Sequence, residues 1–390
     1  MEPNRLKELS RQLVTPAYLF DFDEFEKRAQ LVKKYFTDSV GMCFSIKANP
    51  FLLKYLPSCF DNIEVCSPGE LTVCEKTQMD MNKVIFSGVN KTFDDVKRAM
   101  DDQVGVFTAE SMLHVRMIND EAVKRGIRVP LLPRLTAGSQ FGMSEEEIID
   151  IIKNRDAYPG FEIVGLHFFS GTQKRKVKII SKELDYIDDF CTRVKEQTGF
   201  SFERIEYGTG LAVDYFSDDA DASEEERLKE VSEILVDFSK KYRHTVEMGR
   251  FFAATCGYYL TKVMDTKTNK DINYAIVDGG LNQLKYDGQL QGMQIPQILH
   301  FADHPLDAQK EKWTLCGSLC TTADVIARDA LFSDLAIGDI LVFCRTGAYS
   351  VSEGMALFLS RELPMVALYS AERGLEIVRE IMKADIFNTP

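Results

Sequence analysis

The chain is poor in the residues that mark several common classes of protein. It holds one tryptophan and five histidines in 390 residues. No grouping of His and Cys has the spacing of a zinc site. It has no basic surplus: 47 Lys and Arg stand against 60 Asp and Glu, a net charge of −13. Nucleic-acid binding leans on clustered Lys and Arg, so this balance speaks against that class without touching a local phosphate site. No apolar run approaches the ~20 residues of a membrane helix. The opening MEPNRLKELSRQ lacks the apolar core of a secretory signal. Nine cysteines at irregular spacing, an odd number, argue against a disulfide framework and for a reducing cytoplasm. There is no short repeat. The most biased stretch, SDDADASEEE (217–226), reads as a solvated loop entering a helix N-terminus, where acids suit the dipole.

What is present is an ordinary globular balance, 45% hydrophobic and 27% charged. Eight short apolar runs follow one another: GMCFSIK (41–47), NIEVCS (62–67), KVIFSG (83–88), VGVFT (104–108), VPLLPRL (129–135), IVGLHFF (163–169), ERIEYG (203–208) and HTVEM (244–248). Each has the length of a buried strand, and several are rich in Val, Ile and Phe. Segments of helical spacing separate most of them, such as Glu183 to Gln197 and Glu224 to Tyr242. Strands alternating with helices imply parallel pairing, and eight units predict a closed (β/α)8 barrel. After residue 250 the rhythm changes. Cys256 to Met264 and Ile272 to Val277 read as a hairpin joined by DTKTNKD. Trp313 to Leu315, Ile340 to Cys344 and Pro364 to Tyr369 continue the β character, which predicts a second, mainly antiparallel domain. PAYLFDFD (16–23) precedes the barrel and reads as a strand of that domain. The expected α/β organisation is therefore residues 1–29 as an N-terminal strand segment of the β domain, 30–255 as the barrel and 256–390 as the rest of the β domain.

Barrel chemistry sits at the C-terminal ends of the strands. The first run ends in Lys47, which by alternation shares a face with Cys43 and Ser45. Facing the axis, its ammonium would be desolvated, its pKa would fall, and it would become a nucleophile. Alternation alone leaves open a Lys that has already emerged into solvent. The seventh run ends in Tyr207-Gly208-Thr209-Gly210, and the eighth leads into Met248-Gly249-Arg250. In barrels these two loops commonly hold phosphate, with glycines admitting the backbone and Arg supplying charge-assisted bonds. A reactive Lys facing a phosphate site suggests pyridoxal phosphate, and Glu247 would then pair with its pyridine nitrogen.

These residues carry a family resemblance. TPAYLFD, SIKANP, EVCSPGEL (64–71), GLHFFSGTQ (165–173), EYGTG (206–210), EMGR (247–250), CGSLCTTADVIARD (316–329) and GAYSVS (347–352) occur in an order that resembles the fold type III pyridoxal-phosphate-dependent decarboxylases, the group of ornithine, arginine and diaminopimelate decarboxylases. The resemblance runs over nearly the whole chain. It implies that Lys47 carries the cofactor, that Glu247 binds the pyridine nitrogen, and that Gly208, Thr209, Gly210, Gly249, Arg250 and Tyr349 line the phosphate pocket with Thr172 nearby. It implies Arg134 near the cofactor, Phe169 on the ring face, and Cys320 as the residue that protonates the product. In the family that Cys comes from the partner subunit, so a homodimer with shared active sites is expected.

The departures from the family are informative. Phe169 stands where relatives place a His; a Phe can stack but cannot share a proton. Met248 stands for Pro, and Thr209 for the middle glycine. Thr321 follows Cys320 where relatives carry an acid that grips a distal amine. A buried distal ammonium would lose its ionic partner at a cost of a few kcal/mol. The expected substrate is therefore an amino acid or conjugate without a free distal ammonium. Phe-Ser-Gly-Thr-Gln and Cys-Thr resemble the secondary-metabolism branch, with butirosin-type decarboxylases of glutamyl groups tethered to an acyl carrier protein and decarboxylases of siderophore precursors. Glu353 or Asp287 restoring a charge would instead favour a free diamino acid such as diaminopimelate, lysine or ornithine. A racemase, which pairs the pyridine nitrogen with Arg, and a non-catalytic relative are the other classes weighed; Glu247 argues against the first, and Lys47, Arg250 and Cys320 against the second. His167 is equally readable as a cofactor neighbour or a structural His, and VDGG (277–280) as a β turn.

Overall fold

The computed structural model describes Met1–Pro390. One unit comprises Ala29–Ala212 and Ser223–Phe251; the other comprises Met1–Arg28, Val213–Ala222 and Phe252–Pro390. Strand β1 (Ala17–Asp21) belongs to the second. The first is built on β2 (Val40–Ser45), β3 (Asn62–Val65), β4 (Val84–Phe86), β5 (Val106–Ala109), β6 (Val129–Leu135), β7 (Phe161–Ile163), β8 (Leu166–Phe169), β9 (Arg204–Gly208) and β10 (Arg243–Met248). Every pairing is parallel. The path β5-β4-β3-β2-β10-β9-β8-β6 closes through β5–β6, with the short β7 beside the start of β6. All eight apolar runs are staves of this barrel. Strands buried on both faces need no polar alternation, and β4, β5 and β9 are buried throughout. Cys43, Ile85, Val106 and Leu132 pack together from four different strands.

The intervening helices are signalled locally. Thr92 and Asp95 form a capping box on helix Phe93–Asp101, and Ser144 with Glu147 does the same on Glu145–Lys153. Helix Val177–Thr198 buries Ile180, Leu184, Ile187, Phe190, Cys191 and Val194, a stripe at the helical period. One expected boundary moves. The first stave ends at Ser45, and Ile46–Ala48 form a 3-10 turn, so Lys47 lies just past the strand rather than on it. Asn49 precedes Pro50 and is extended, as a residue before proline should be. Its side chain accepts from the Phe51 N–H and starts the next 3-10 helix.

The second unit holds β11 (Gly257–Asn269), β12 (Ile272–Val277), β13 (Ile298–Phe301), β14 (Glu311–Cys316), β15 (Val325–Phe332), β16 (Ile340–Cys344), β17 (Met365–Ser370) and β18 (Gly374–Arg379). The order is β15-β14-β12-β11-β1-β17-β18, with β16 on β11 and β13 on β16. Only β1–β17 and β12–β14 are parallel. β1 is thus an inner strand of the second sheet. The β11–β12 turn is shorter than expected: only Lys270 and Asp271 turn, at φ +50° and +61°, and DTKTN continues the strand. Two consecutive positive φ values match the right-handed twist of the flanking strands. Leu6, Leu9, Leu19, Leu260, Val342 and Ala367 form the core on one face of this sheet. No helix is long and apolar enough to cross a membrane.

Candidate active site

Lys47 is answered by β3. Its Nζ donates to Glu64 Oε2 at 2.7 Å and approaches Cys66 Sγ at 3.4 Å. Glu64 is buried, which alone would raise its pKa. The Lys47 charge and hydrogen bonds from Lys47 and Ser45 outweigh that and hold the carboxyl down to about 2. The segment after β3 is fixed by its own capping. Ser67 accepts from the Glu70 N–H, Pro68 takes the first helical position, and Glu70 Oε2 accepts from the Cys66 N–H at 2.6 Å.

Glu247 lies on β10, where it pairs in register with Cys43 of β2 and Gly208 of β9. Its Oε2 is 3.1 Å from His167 Nε2, and both side chains are buried. The other oxygen, Oε1, is buried with no hydrogen-bond partner. An oriented carboxylate with one open oxygen is what a ring N–H requires. His167, readable two ways beforehand, is therefore a neighbour of Glu247.

The glycines form a cradle. A Cβ on Gly210, at φ +58°, would lie 1.9 Å from the Gly171 oxygen. On Gly208 it would meet Phe169 Cδ2 at 2.4 Å, and on Gly249 the Ala48 Cβ at 2.8 Å and the Ser45 oxygen at 2.9 Å. So the loop of Thr172 and the loop of Gly210 touch, Phe169 lies against Gly208, and the turn at Gly249 sits on the turn that carries Lys47. Thr209 is fully buried and its Oγ1 accepts from the Leu211 N–H, which explains how a side chain fits the middle of that loop. Arg250 opens the short helix Arg250–Ala253.

Arg134, near the end of β6, donates to Glu110 Oε1 at 2.9 Å and to the Phe169 carbonyl at 3.3 Å. Its guanidinium lies 4.8 Å from the Phe141 ring centre and 5.9 Å from that of Phe169. Cys320, Thr321 and Tyr349 belong to the second unit, so each is described within that unit. Cys320 is the one exposed thiol among nine free cysteines, on the β14–β15 loop next to an exposed Thr321. Tyr349 has φ +66°, rare for an aromatic residue, and its carbonyl accepts from the Ser352 and Glu353 N–H groups.

Several members of the barrel site lay outside the sequence reading: Glu64, Glu110, Lys91, Arg204 and Glu206. Their signal was a charged residue inside or beside a run of a fully buried strand. Burial pushes Lys91 down to about 8 and His114 down to about 4, close to Glu110.

A parallel barrel with a lysine past its first stave, a carboxylate oxygen left open on its eighth, and glycine-bearing loops after the seventh and eighth defines a pyridoxal-phosphate barrel enzyme. The open oxygen of Glu247 and the glycine cradle fit that cofactor. The chain belongs to the pyridoxal-dependent decarboxylases, whose pyridoxal binding domain matches residues 22–254. Its cofactor is accordingly pyridoxal phosphate and its reaction class amino acid decarboxylation. It is 25% identical over 405 residues to the L-glutamyl-[BtrI acyl-carrier protein] decarboxylase of Niallia circulans, covering 97% of this chain and 94% of that protein. It is 29% identical over 384 residues to the 2-[(L-alanin-3-ylcarbamoyl)methyl]-2-hydroxybutanedioate decarboxylase of Staphylococcus aureus, covering 89% and 92%. The crystal structure of diaminopimelate decarboxylase from M. jannaschii with L-lysine shares the fold, with a TM-score of 0.84 at 21% identity over 98% of this chain and 93% of that one.

Proposed function

We propose that this enzyme removes the α-carboxylate of an amino acid or aminoacyl conjugate whose far end is not a free ammonium, a carrier-tethered glutamyl group being one such substrate. The observation that carries this reading is the loop of Cys320. Thr321 brings no charge there. Asp324, the loop's carboxylate, is buried and spends both oxygens on the Leu281 and Leu319 N–H groups. Glu353 is paired with Lys285 at 3.0 Å. The names of two relatives point the same way: one acts on a glutamyl group joined to a carrier protein, the other on an alanine unit whose far nitrogen is in a carbamoyl linkage.

When bound, pyridoxal phosphate supplies a conjugated ring that takes up the electron pair left as carbon dioxide departs. Lys47 would hold it through Nζ, and Glu247, whose Oε1 is buried with no partner, would keep a proton on its pyridine nitrogen. Gly208, Thr209, Gly210, Gly249 and Arg250, with Thr172, would hold the phosphate, a role the family resemblance also gives to Tyr349. Phe169 would cover a ring face, and Arg134 fixes Phe169 through its carbonyl. Cys320 gives its proton to Cα, and Thr321 lines the distal end. The exposure of Cys320 in the single chain supports its delivery to the site of a partner copy, in a head-to-tail homodimer.

Borohydride reduction and peptide mapping are expected to leave a phosphopyridoxyl group on Lys47. Carbon dioxide release is then compared for glutamyl conjugates, including a carrier-linked one, and for lysine, ornithine and diaminopimelate. Robust turnover of any of these three free diamino acids would overturn the substrate reading, and a racemised product without carbon dioxide would overturn the reaction.

A further inference from the structure

Three acids from three staves crowd the upper axis: Glu64 on β3, Glu206 on β9 and Glu247 on β10. A carboxylate oxygen of Glu206, one of Glu247 and the Sγ of Cys43 on β2 lie within 4.8 Å of one another, and all three residues are buried. The facing charges can be counted. Glu64 takes Lys47 at 2.7 Å. Arg204 donates to Glu206 Oε2 at 2.8 Å, with Asn62 Oδ1 at 3.5 Å. His167 touches Glu247. His244 is buried and held neutral, pushed down to about 3 by burial alone. The Cys43 thiol is kept protonated, first by burial and then by the surrounding carboxylates. One guanidinium is thus left to answer two buried carboxyls a few ångströms apart. Glu206 Oε1, like Glu247 Oε1, is buried with no partner. Two like charges this close in a buried site do not both ionise.

We infer that Glu206 keeps its proton at neutral pH and is a neutral positioning residue, leaving Glu247 as the ionised partner of the cofactor ring. Glu206 takes the proton because it is fully buried, whereas Glu247 has the His167 imidazole to steady a charge. Burial and the Glu247 charge push Glu206 up to about 8, against the pull of Arg204. Without a ring N–H at Glu247, a second negative charge beside it would leave the axis with one charge more than Arg204 can answer. The consequence for Glu247 rests on its proposed role at the ring nitrogen; the location of the proton does not.

The test is an infrared titration of the full-length protein with isotope-labelled glutamate, with the E206Q variant beside it. Wild type is expected to show a protonated glutamate carbonyl band at neutral pH that bleaches with a midpoint near 8, and E206Q is expected to lack it. Thermal stability gives an independent reading. The folded state keeps a proton that the unfolded chain has released, so wild type loses stability as pH rises from the ordinary glutamate range toward 8, and E206Q, with nothing to ionise there, does not follow. E206Q should also bind pyridoxal phosphate within about threefold of wild type, since Gln reproduces a neutral acid. A wild-type spectrum with no glutamate band bleaching near pH 8 would overturn the inference, even if E206Q failed to fold. So would parallel melting profiles, or a loss of cofactor affinity in E206Q beyond about tenfold.

Discussion

Replacing Arg134 by Met should cost far more than an ordinary substitution at a strand end. Its guanidinium and the Glu110 carboxylate form a buried pair, with side chains 9% and 2% exposed. Removing one partner leaves an uncompensated buried charge, typically worth about 3–5 kcal/mol. Lys91 softens this. It is buried near Glu110, donates to the Gly88 carbonyl, and burial drops its pKa only to about 8, so most of it is charged at neutral pH. We therefore expect a loss of about 2–3 kcal/mol at neutral pH, which for a unit of this size is a melting-temperature fall of roughly 5–10 °C. The loss should grow above pH 8, where Lys91 gives up its charge. Calorimetry or circular dichroism on R134M, E110Q and the double variant measures the coupling. The double variant should recover at least about 1.5 kcal/mol of the summed single losses, because it removes both charges together. A single-variant loss below about 1 kcal/mol, or an additive cycle, would refute the reasoning.

Gly210→Ala should weaken pyridoxal phosphate binding about tenfold or more, because a left-handed residue with a side chain costs about 1–2 kcal/mol before the contact with the Gly171 oxygen is counted; fluorescence titration of the cofactor reads it. Glu64 falls from its ordinary 4.5 to about 2 on folding, so it contributes stability above the ordinary range that is lost as pH falls toward 2. Denaturant midpoints across that window should be flatter in E64Q, by about 3 kcal/mol in total. Cys320→Ser should lower kcat by about 10²-fold or more with little change in KM, as removal of a general acid does, measured by carbon dioxide release. Mixed K47A and C320A chains, each inactive alone, should recover up to about a quarter of wild-type activity if the site is shared across a two-fold dimer.

The barrel was legible because its staves are buried runs of the right length, separated by helices with their own caps; the hydrophobic pattern needs no tertiary information. The loops at Gly208–Gly210 and Gly249–Arg250 were legible for a similar reason, since glycine marks close backbone approach. Glu64, Glu206 and Arg204 escaped because an isolated charge in a four- or five-residue strand reads the same whether it faces water or the axis. Pairing of neighbouring staves brings residues 47 with 64 and 110 with 134, and the curve of the barrel brings 167 with 247, and none of those contacts has a period in the chain. The DTKTN stretch read as a turn because its residues are polar, yet a long two-stranded ribbon tolerates polar side chains on both faces. Lys47, which alternation left open between the strand's inner face and a position already past its end, lies in the 3-10 turn just past Ser45.

Strand β1 has a consequence for how the chain is made. It lies between β11, some 240 residues downstream, and β17, some 350 residues downstream. As the nascent polypeptide leaves the ribosome, this mostly apolar five-residue segment emerges some 350 residues before its parallel neighbour. A chain stopped before Met365 would keep one side of β1 without hydrogen-bond partners, so truncation products should be sticky rather than merely inactive.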